Sequence, residues 1–590
     1  MLPAPPFVLL DDARPDGAGA RLYANPVEVV TGTVAESFEG LKAARAQGLH
    51  AAGFLTYEAS VGIEPSAWPR AAGGEEPRIW FGLFEGYTEI ADVAAMLPDS
   101  AGAWAGTPQP WITREQYGDQ FAKVAELIAA GDIYQANLTF RAWVRHAGGP
   151  AALYALLRGR AAAGYGALIA TGEQWLLSFS PELFFAVDRG RLTARPMKGT
   201  ALRGATPGED AMLAEALAAD PKQRAENLMI VDLMRNDLSR VARPGSVSVP
   251  QLFHIEQYPT VHQMVSTITA ELSEGLDAID ALQALFPCGS ITGAPKVRAM
   301  QVIGAVEGAA RNIYTGSIGR LDAVKENGAG DAMFNVAIRT LMLDSTSDAA
   351  VLGLGSGVVA DSTAEEEWQE CLAKGAFVTN GETPFDLIET MAFDPEVGIA
   401  LLERHLARMR ASARLFGFTF DRHMVRNELQ AATFRLSAPA RVRLLLAPSG
   451  AVAIGIAPLP AAPAGSVKVA IAPLPVAPDD FRLAHKTSRR GFYDTARVPG
   501  TFETLFTDPD GFLTEGSFTS LFVERDGVLI TPPLSRGLLP GVLRAELLAT
   551  GRAVEGDLTQ SDLESGFLIG NALRGLVSAV TFAHRSTAAV

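Results

Sequence analysis

The sequence predicts a chain of mixed α and β structure in two domains that meet near residue 380, and three observations carry that reading. At 590 residues the chain exceeds what one hydrophobic core usually supports. Helical periodicity and strand-like runs alternate between Gly and Pro breaks, with no low-complexity tract or short repeat that would indicate a solenoid. Finally, Val378-Thr-Asn-Gly-Glu-Thr-Pro384 is polar and turn-rich, and the motifs that carry chemistry fall on either side of it.

The elements follow in order. Thr113 with Gln116 is a capping-box pattern, and Tyr117, Phe121, Val124 and Ile128 then recur at helical spacing until Gly131. Ser362 with Glu365 repeats the device and predicts a helix to about Lys374, stopped by Gly375. Beyond the boundary, Leu401 to Ala413 interleaves basic and apolar residues as an amphipathic helix does. Arg441-Val-Arg-Leu-Leu-Leu, an Ala-Pro-Ser-Gly turn and Ala451-Val-Ala-Ile-Gly-Ile predict a hairpin. Leu444 to Val467 carries no charge over 24 residues, but Pro448, Pro458, Pro460 and Pro463 make it strands and turns rather than a membrane span.

Lys and Arg number 50 against 66 Asp and Glu, and the net charge of -16 has the wrong sign for binding phosphate backbones, so no nucleic-acid partner is expected. The two cysteines, Cys288 and Cys371, provide neither a disulfide framework nor a four-sulfur zinc site. Met1 to Arg14 has no basic segment before its short apolar run and reaches Asp11 and Asp12 at once, unlike a secretory signal. A cytoplasmic location without membrane attachment is the expectation.

Seven motifs occur in order before the boundary: Gly131-Asp-Ile-Tyr-Gln-Ala-Asn-Leu-Thr139, Ser180-Pro-Glu-Leu-Phe184, Pro196-Met-Lys-Gly-Thr200, Glu226-Asn-Leu-Met-Ile-Val-Asp-Leu-Met-Arg-Asn-Asp-Leu238, Phe286-Pro-Cys-Gly-Ser-Ile-Thr-Gly-Ala-Pro-Lys296, Tyr314-Thr-Gly-Ser-Ile-Gly319 and Gly355-Ser-Gly-Val-Val-Ala-Asp-Ser362. Singly they are weak, and the Gly-Ala-Pro-Lys296 ending lacks the Gly-Lys-Ser/Thr of a phosphate loop. Together they resemble the chorismate-utilising enzymes. That resemblance implies an α+β fold over residues 1–378, a two-sheet antiparallel sandwich with flanking helices.

Chorismate is a dicarboxylate whose ring hydroxyl leaves poorly, so its enzymes need a hard cation and groups that grip carboxylates. On the Ser362 helix, Glu367, Glu370 and Lys374 share a face. A solvated helix face is the ordinary explanation of such a cluster. The resemblance instead makes Glu226 and Glu370 ligands of Mg²⁺, with Glu367 in support and Lys374 nearby. It gives Arg339, Tyr314 and the backbone amides around Gly355, Ser356 and Gly357 a chorismate carboxylate.

Two positions then select among family activities. The similar anthranilate-forming enzymes usually have alanine where Lys198 stands, and the aminodeoxychorismate synthases have lysine, which adds covalently to the ring before ammonia displaces it. Gln135 occupies the place of a water-activating lysine in isochorismate- and salicylate-forming relatives. One departure concerns a histidine many relatives carry, because Gln263 stands there with His262 one residue earlier. Neither cysteine lies in a Gly-rich elbow with a histidine partner, so the resemblance implies a separate glutaminase subunit as ammonia source.

After the boundary come Phe385-Asp-Leu-Ile-Glu-Thr-Met391, Leu401-Leu-Glu-Arg-His-Leu-Ala-Arg408, His485-Lys-Thr-Ser-Arg-Arg-Gly-Phe-Tyr-Asp494, Thr514-Glu-Gly-Ser-Phe-Thr-Ser-Leu-Phe522, Gly537-Leu-Leu-Pro-Gly-Val-Leu-Arg544 and Ile569-Gly-Asn-Ala-Leu-Arg574. These resemble the fold-type IV pyridoxal-phosphate enzymes, which implies a two-lobed α/β domain over residues 383–590. By that resemblance Lys486 binds the cofactor covalently, Glu515 pairs with its ring nitrogen, and Arg408 with the amides of Val542 and Leu543 holds its phosphate. Thr390 and Asn571 position the substrate, and a homodimer through this domain is the associated assembly.

The fusion implies two consecutive reactions: amination of chorismate to 4-amino-4-deoxychorismate, then loss of pyruvate to leave 4-aminobenzoate, a folate precursor. The alternative is an anthranilate synthase large subunit carrying a pyridoxal-phosphate aminotransferase, against which Lys198 argues. A non-catalytic chorismate- or tryptophan-binding regulator would have lost the metal and lysine residues.

Overall fold

The computed structural model describes residues 2–14, 17–67, 79–258, 261–324, 330–344, 347 and 349–582. The chain forms two compact units: one comprises residues 1–97, 107–145 and 154–380, the other residues 98–106, 146–153 and 381–590.

The first unit contains two large sheets whose strand pairs are all antiparallel. Apolar side chains of Val8, Leu10, Ala167 and Ile169 from one sheet and Phe54, Trp80 and Ile318 from the other share a buried core, so the sheets form a sandwich. A larger core lies between the second sheet and the helices Val34–Ala46, Pro221–Ser239 and Ala278–Leu285. This is the antiparallel sandwich with flanking helices that the motif order implies.

The helix Arg114–Ala129 begins at Thr113 with both capping-box hydrogen bonds in place, as expected. At Ala364–Gly375 the expectation needs correction. Thr363, not Ser362, is the N-cap and accepts from the Glu366 amide, while Ser362 donates 2.6 Å to Glu367 Oε1. Both residues can cap a helix, and the one whose hydroxyl lies three positions before Glu366 closes the turn.

The second unit contains a four-stranded antiparallel sheet and an eight-stranded sheet with parallel pairs, including Val467–Pro473 beside Glu503–Thr507. The predicted hairpin pairs Ala440–Leu446 with Val452–Pro458, and the basic amphipathic helix is Leu402–Phe416. Among the described residues no helix is long and apolar enough to cross a membrane.

Trp104 belongs to this second core, edge-on to Phe416 with ring centroids 4.9 Å apart, and Arg482 pairs with Asp99 at 2.9 Å. Truncating a buried indole removes contacts the surroundings cannot remake. Trp104→Ala is therefore expected to destabilise the second unit by roughly 3–5 kcal/mol, read as a lower urea midpoint by near-ultraviolet circular dichroism. An unchanged midpoint would show that the indole adds nothing to that core.

Candidate active sites

In the first unit the strands Gln135–Ala147 and Ala349–Val358 run antiparallel, with Gly357 opposite Asn137 and Gly355 opposite Thr139. A Cβ on Gly357 would stand 2.5 Å from Gln135 Nε2 and 3.0 Å from Lys198 Nζ, so glycine lets these two side chains meet over the strand. Ser356, one position away, turns to the opposite face. Its buried hydroxyl lies 3.4 Å from that of Tyr117. Tyr314 is buried with its ring against Gly353 on the same strand.

Lys198 sits in the strand Met197–Leu202, its carbonyl accepting 3.3 Å from Asn227 Nδ2, whose oxygen is fixed by Ser266. Burial lowers the Lys198 ammonium below its ordinary range, and Lys374 pushes the same way, against Glu226, Glu370 and Glu182. Sequence reasoning did not single out Glu182. It is buried, accepts 2.8 Å from Ser290 Oγ, and burial raises its carboxyl to about 7 against the pull of Lys198. The Ser180-Pro-Glu motif held it in view, but only the fold brings it within the field of Lys198.

Lys374 pairs with Glu370 at 2.7 Å and donates 2.9 Å to the Gly355 carbonyl, which places it at the edge of the same strand. Burial raises the Glu226 carboxyl, with Glu370 and Glu367 adding to the rise. For Glu370 burial also pulls upward, but Lys374 holds it below its ordinary value. Glu367 Oε2 is buried without a hydrogen-bond partner. Among the described residues no three metal-type side chains stand close enough to hold an ion unaided. A hard cation bound through one or two carboxylates, its other positions filled by substrate and water, is the arrangement this oxygen set fits.

Arg339 has φ 50°, a backbone region few non-glycine residues adopt. Its guanidinium makes no hydrogen bond or ion pair among the described residues, and burial lowers its pKa. No hydrogen bond joins it to the Lys198 cluster, but an unpaired guanidinium in low dielectric is suited to a carboxylate. The neighbouring pair resolves by strand alternation. Buried His262 Nε2 lies 2.8 Å from Asp210, whereas Gln263 Nε2 donates 2.9 Å to the Gly199 carbonyl beside Lys198.

In the second unit the predicted residues Thr390, Arg408, Lys486, Glu515, Val542, Leu543 and Asn571 all line one cavity of about 250 Å³. Lys486 follows the short helix Phe481–Ala484, its carbonyl accepting 2.8 Å from Ile388 N. Burial pulls its amine down to about 7. Burial lifts Glu515 to about 7, against a 2.6 Å hydrogen bond donated by the Tyr493 hydroxyl.

Arg408 grips buried Glu389 with Nε and Nη2 at 2.9 and 2.6 Å, and His405 Nδ1 lies 2.6 Å from the same carboxylate. Burial opposes ionisation there, but the Arg408 charge and the hydrogen bonds from His405 and Arg408 hold Glu389 down at about 2. Buried Glu503 accepts from Ser517 N and Oγ, Phe518 N and Thr519 Oγ1, fixing the turn that follows Glu515. Neither glutamate stood out in the sequence.

Val542 and Leu543 open the helix Val542–Ala549, where a Cβ on Gly541 would lie 2.6 Å from Ser520 Oγ. Amides at a helix start, Arg408, a half-buried lysine and a buried carboxyl are the set that phosphate, aldehyde and pyridine nitrogen of pyridoxal phosphate require, so the residues present fit it. Asn571 holds its own turn, accepting from Leu573 N and Arg574 N and donating 3.0 Å to the Phe518 carbonyl.

Residues 8–380 match the family of chorismate binding enzymes, and residues 386–581 match amino-transferase class IV. The aminodeoxychorismate synthase component 1 of Escherichia coli K12 is 46% identical over 263 residues, 45% of this chain and 56% of that protein. The anthranilate synthase component 1 of Aquifex aeolicus is 41% identical over 263 residues, 45% of this chain and 52% of its own. The chain thus spans just over half the length of these curated relatives. The crystal structure of anthranilate synthase component I from Streptococcus pneumoniae TIGR4 superposes with a TM-score of 0.53 at 25% identity, over 64% of this chain and 93% of that one.

Proposed function

We propose a function from one premise, that the chain belongs to the family of chorismate binding enzymes. The first unit aminates chorismate to 4-amino-4-deoxychorismate, and the second eliminates pyruvate from that product to give 4-aminobenzoate. One observation carries the choice over anthranilate formation: a half-buried lysine, Lys198, beside Gln135 and within the field of Glu182.

Burial shifts the Lys198 ammonium toward the neutral amine, the form that can attack carbon. Its nitrogen forms a bond to the ring while the C4–O bond breaks. Glu182, its carboxyl near 7, can give the departing hydroxide a proton so that water leaves. Ammonia then forms the C4–N bond as the lysine–carbon bond breaks. Gln135 is neutral and cannot deprotonate a competing water. Arg339 and Lys374 supply cations for the carboxylates. Mg²⁺, held by Glu226 and Glu370 with Glu367 behind them, would neutralise charge at a substrate carboxylate.

Burial raises the thiols of Cys288 and Cys371 to about 12 and about 11, so neither is the thiolate a glutaminase needs. A glutaminase outside these two units, the partner that the name component 1 of the relatives suggests, supplies the ammonia in this reading. In the second unit, bound pyridoxal phosphate supplies the sink for negative charge developing at C4. Lys486 Nζ takes the C4 proton, the C3–O bond breaks to release enolpyruvate, and the ring becomes aromatic. Glu515, fixed by Tyr493, holds a proton at the cofactor's ring nitrogen, and Arg408 with the Val542 and Leu543 amides anchors its phosphate.

The deciding experiment incubates the full chain with chorismate, ammonium, Mg²⁺ and pyridoxal phosphate and identifies products by mass. The expected products are 4-aminobenzoate and pyruvate. Anthranilate as the main product would overturn the assignment in favour of an anthranilate synthase fused to an aminotransferase. For the metal, Glu226→Gln and Glu370→Gln are each expected to raise the Mg²⁺ concentration for half-maximal turnover about tenfold or more, because an amide is a poorer ligand for a hard cation. Unchanged metal dependence in both would move the ion elsewhere.

A further inference from the structure

Five arginines line the second unit's cavity, Arg408, Arg441, Arg443, Arg490 and Arg574, and Glu515 is the single acidic residue among the lining. Several arginines elsewhere in this unit have acidic partners, among them Arg404 with Glu546, Arg422 with Glu403, Arg482 with Asp480 and Arg536 with Asp557. Among the described arginines of the cavity lining, only Arg408 forms an ion pair, with Glu389.

The other four differ in kind. Arg441 and Arg443 lie two residues apart on the strand Ala440–Leu446, on one face, with Arg443 opposite Thr390 in the neighbouring strand. Neither makes a hydrogen bond or ion pair among the described residues. Arg490 spends one nitrogen on the Ser517 carbonyl at 3.2 Å, and its Nη1 is buried without a partner. Arg574 Nε and Nη1 are likewise buried without partners. Buried guanidinium N–H groups left unpaired are costly, so a ligand acceptor is the physical complement to them.

The cofactor phosphate already has Arg408 and the helix-start amides of Val542 and Leu543. That leaves an excess of positive charge for the substrate. A monocarboxylic α-amino acid offers one carboxylate, whereas 4-amino-4-deoxychorismate offers two. We propose, resting on the elimination reading above, that Arg441 and Arg443 on one wall and Arg490 and Arg574 on another receive the two carboxylates of a dicarboxylate amine, so that anion recognition rather than the amine sets substrate choice in the second unit.

The test uses the full chain loaded with pyridoxal phosphate. It compares 4-amino-4-deoxychorismate with its methyl ester at the enolpyruvyl carboxylate, in the parent, in R441Q/R443Q and in R574Q. Each variant is expected to raise KM for the dicarboxylate on the order of tenfold to a hundredfold with kcat little changed. The parent should disfavour the monoester by a similar factor, and at least one variant should lose that preference. Calorimetry with isophthalate, a dicarboxylate without an amine, reads the anion positions without turnover, and R441Q/R443Q should bind it about tenfold more weakly than the parent. Unchanged KM in all variants together with parent-like isophthalate affinity would overturn the inference. Arginine-dependent isophthalate binding by a parent that releases no pyruvate would support the anion positions and overturn the elimination reading alone.

Discussion

Replacing Lys486 by alanine in the full chain is expected to slow pyruvate release from supplied 4-amino-4-deoxychorismate by about four orders of magnitude, while leaving its formation from chorismate and ammonium intact. On the proposed elimination the lysine is both the cofactor's attachment and the group that moves the C4 proton, two roles that alanine cannot fill. His405 is committed to Glu389, and burial lowers its pKa, so it is a poor substitute base. Fixation of the segment should survive, because the Lys486 carbonyl accepts from Ile388 and Thr487 pairs with Leu387 through backbone atoms. The measurement is a coupled pyruvate assay beside mass detection of accumulated intermediate. Pyruvate release at the parent rate would remove Lys486 from the mechanism, and loss of chorismate amination in the same variant would refute the independence of the two chemistries.

Lys198→Ala is the converse experiment. Formation of 4-amino-4-deoxychorismate should fall about a thousandfold or more, or give way to anthranilate, with elimination from supplied intermediate unchanged. Alanine leaves the backbone in place, since Asn227 holds the residue's carbonyl rather than its amine. What vanishes is the amine beside Gln135 and the partner of the Glu182 field. Undiminished amination would eliminate covalent attack by lysine and leave ammonia attacking the ring directly.

The residues legible in the sequence were those whose roles follow from local pattern. The capping box at Thr113 depends on residues three apart and stands as read. At the second helix two adjacent hydroxyl residues compete, and local pattern does not choose between Ser362 and Thr363. The antiparallel sandwich came from the family resemblance that the ordered motifs carry, and the hairpin at Arg441 from two strand-like runs around a Pro/Gly turn. What stayed hidden was the support beneath the sites. Glu182 meets Ser290 across 108 positions of sequence, and Asn227 meets Lys198 across 29. Glu389 and Glu503 look like ordinary strand residues until folding buries them with several donors each. The Arg441 and Arg443 pair was visible as strand residues, but not the cavity they face.

Trp104 and Phe416 stand edge to face although the chain travels from position 104 to position 416 between them. During synthesis the indole must therefore wait, with its pocket unmade, until the helix that ends at Phe416 has left the ribosome. Such distant closure is slow to find by diffusion and exposes apolar surface meanwhile. The same threading matters for inheritance. A recombination event near codon 380 would hand over the cofactor residues while leaving the indole and Asp99 behind, so the second unit is not a cassette that one crossover can transplant whole.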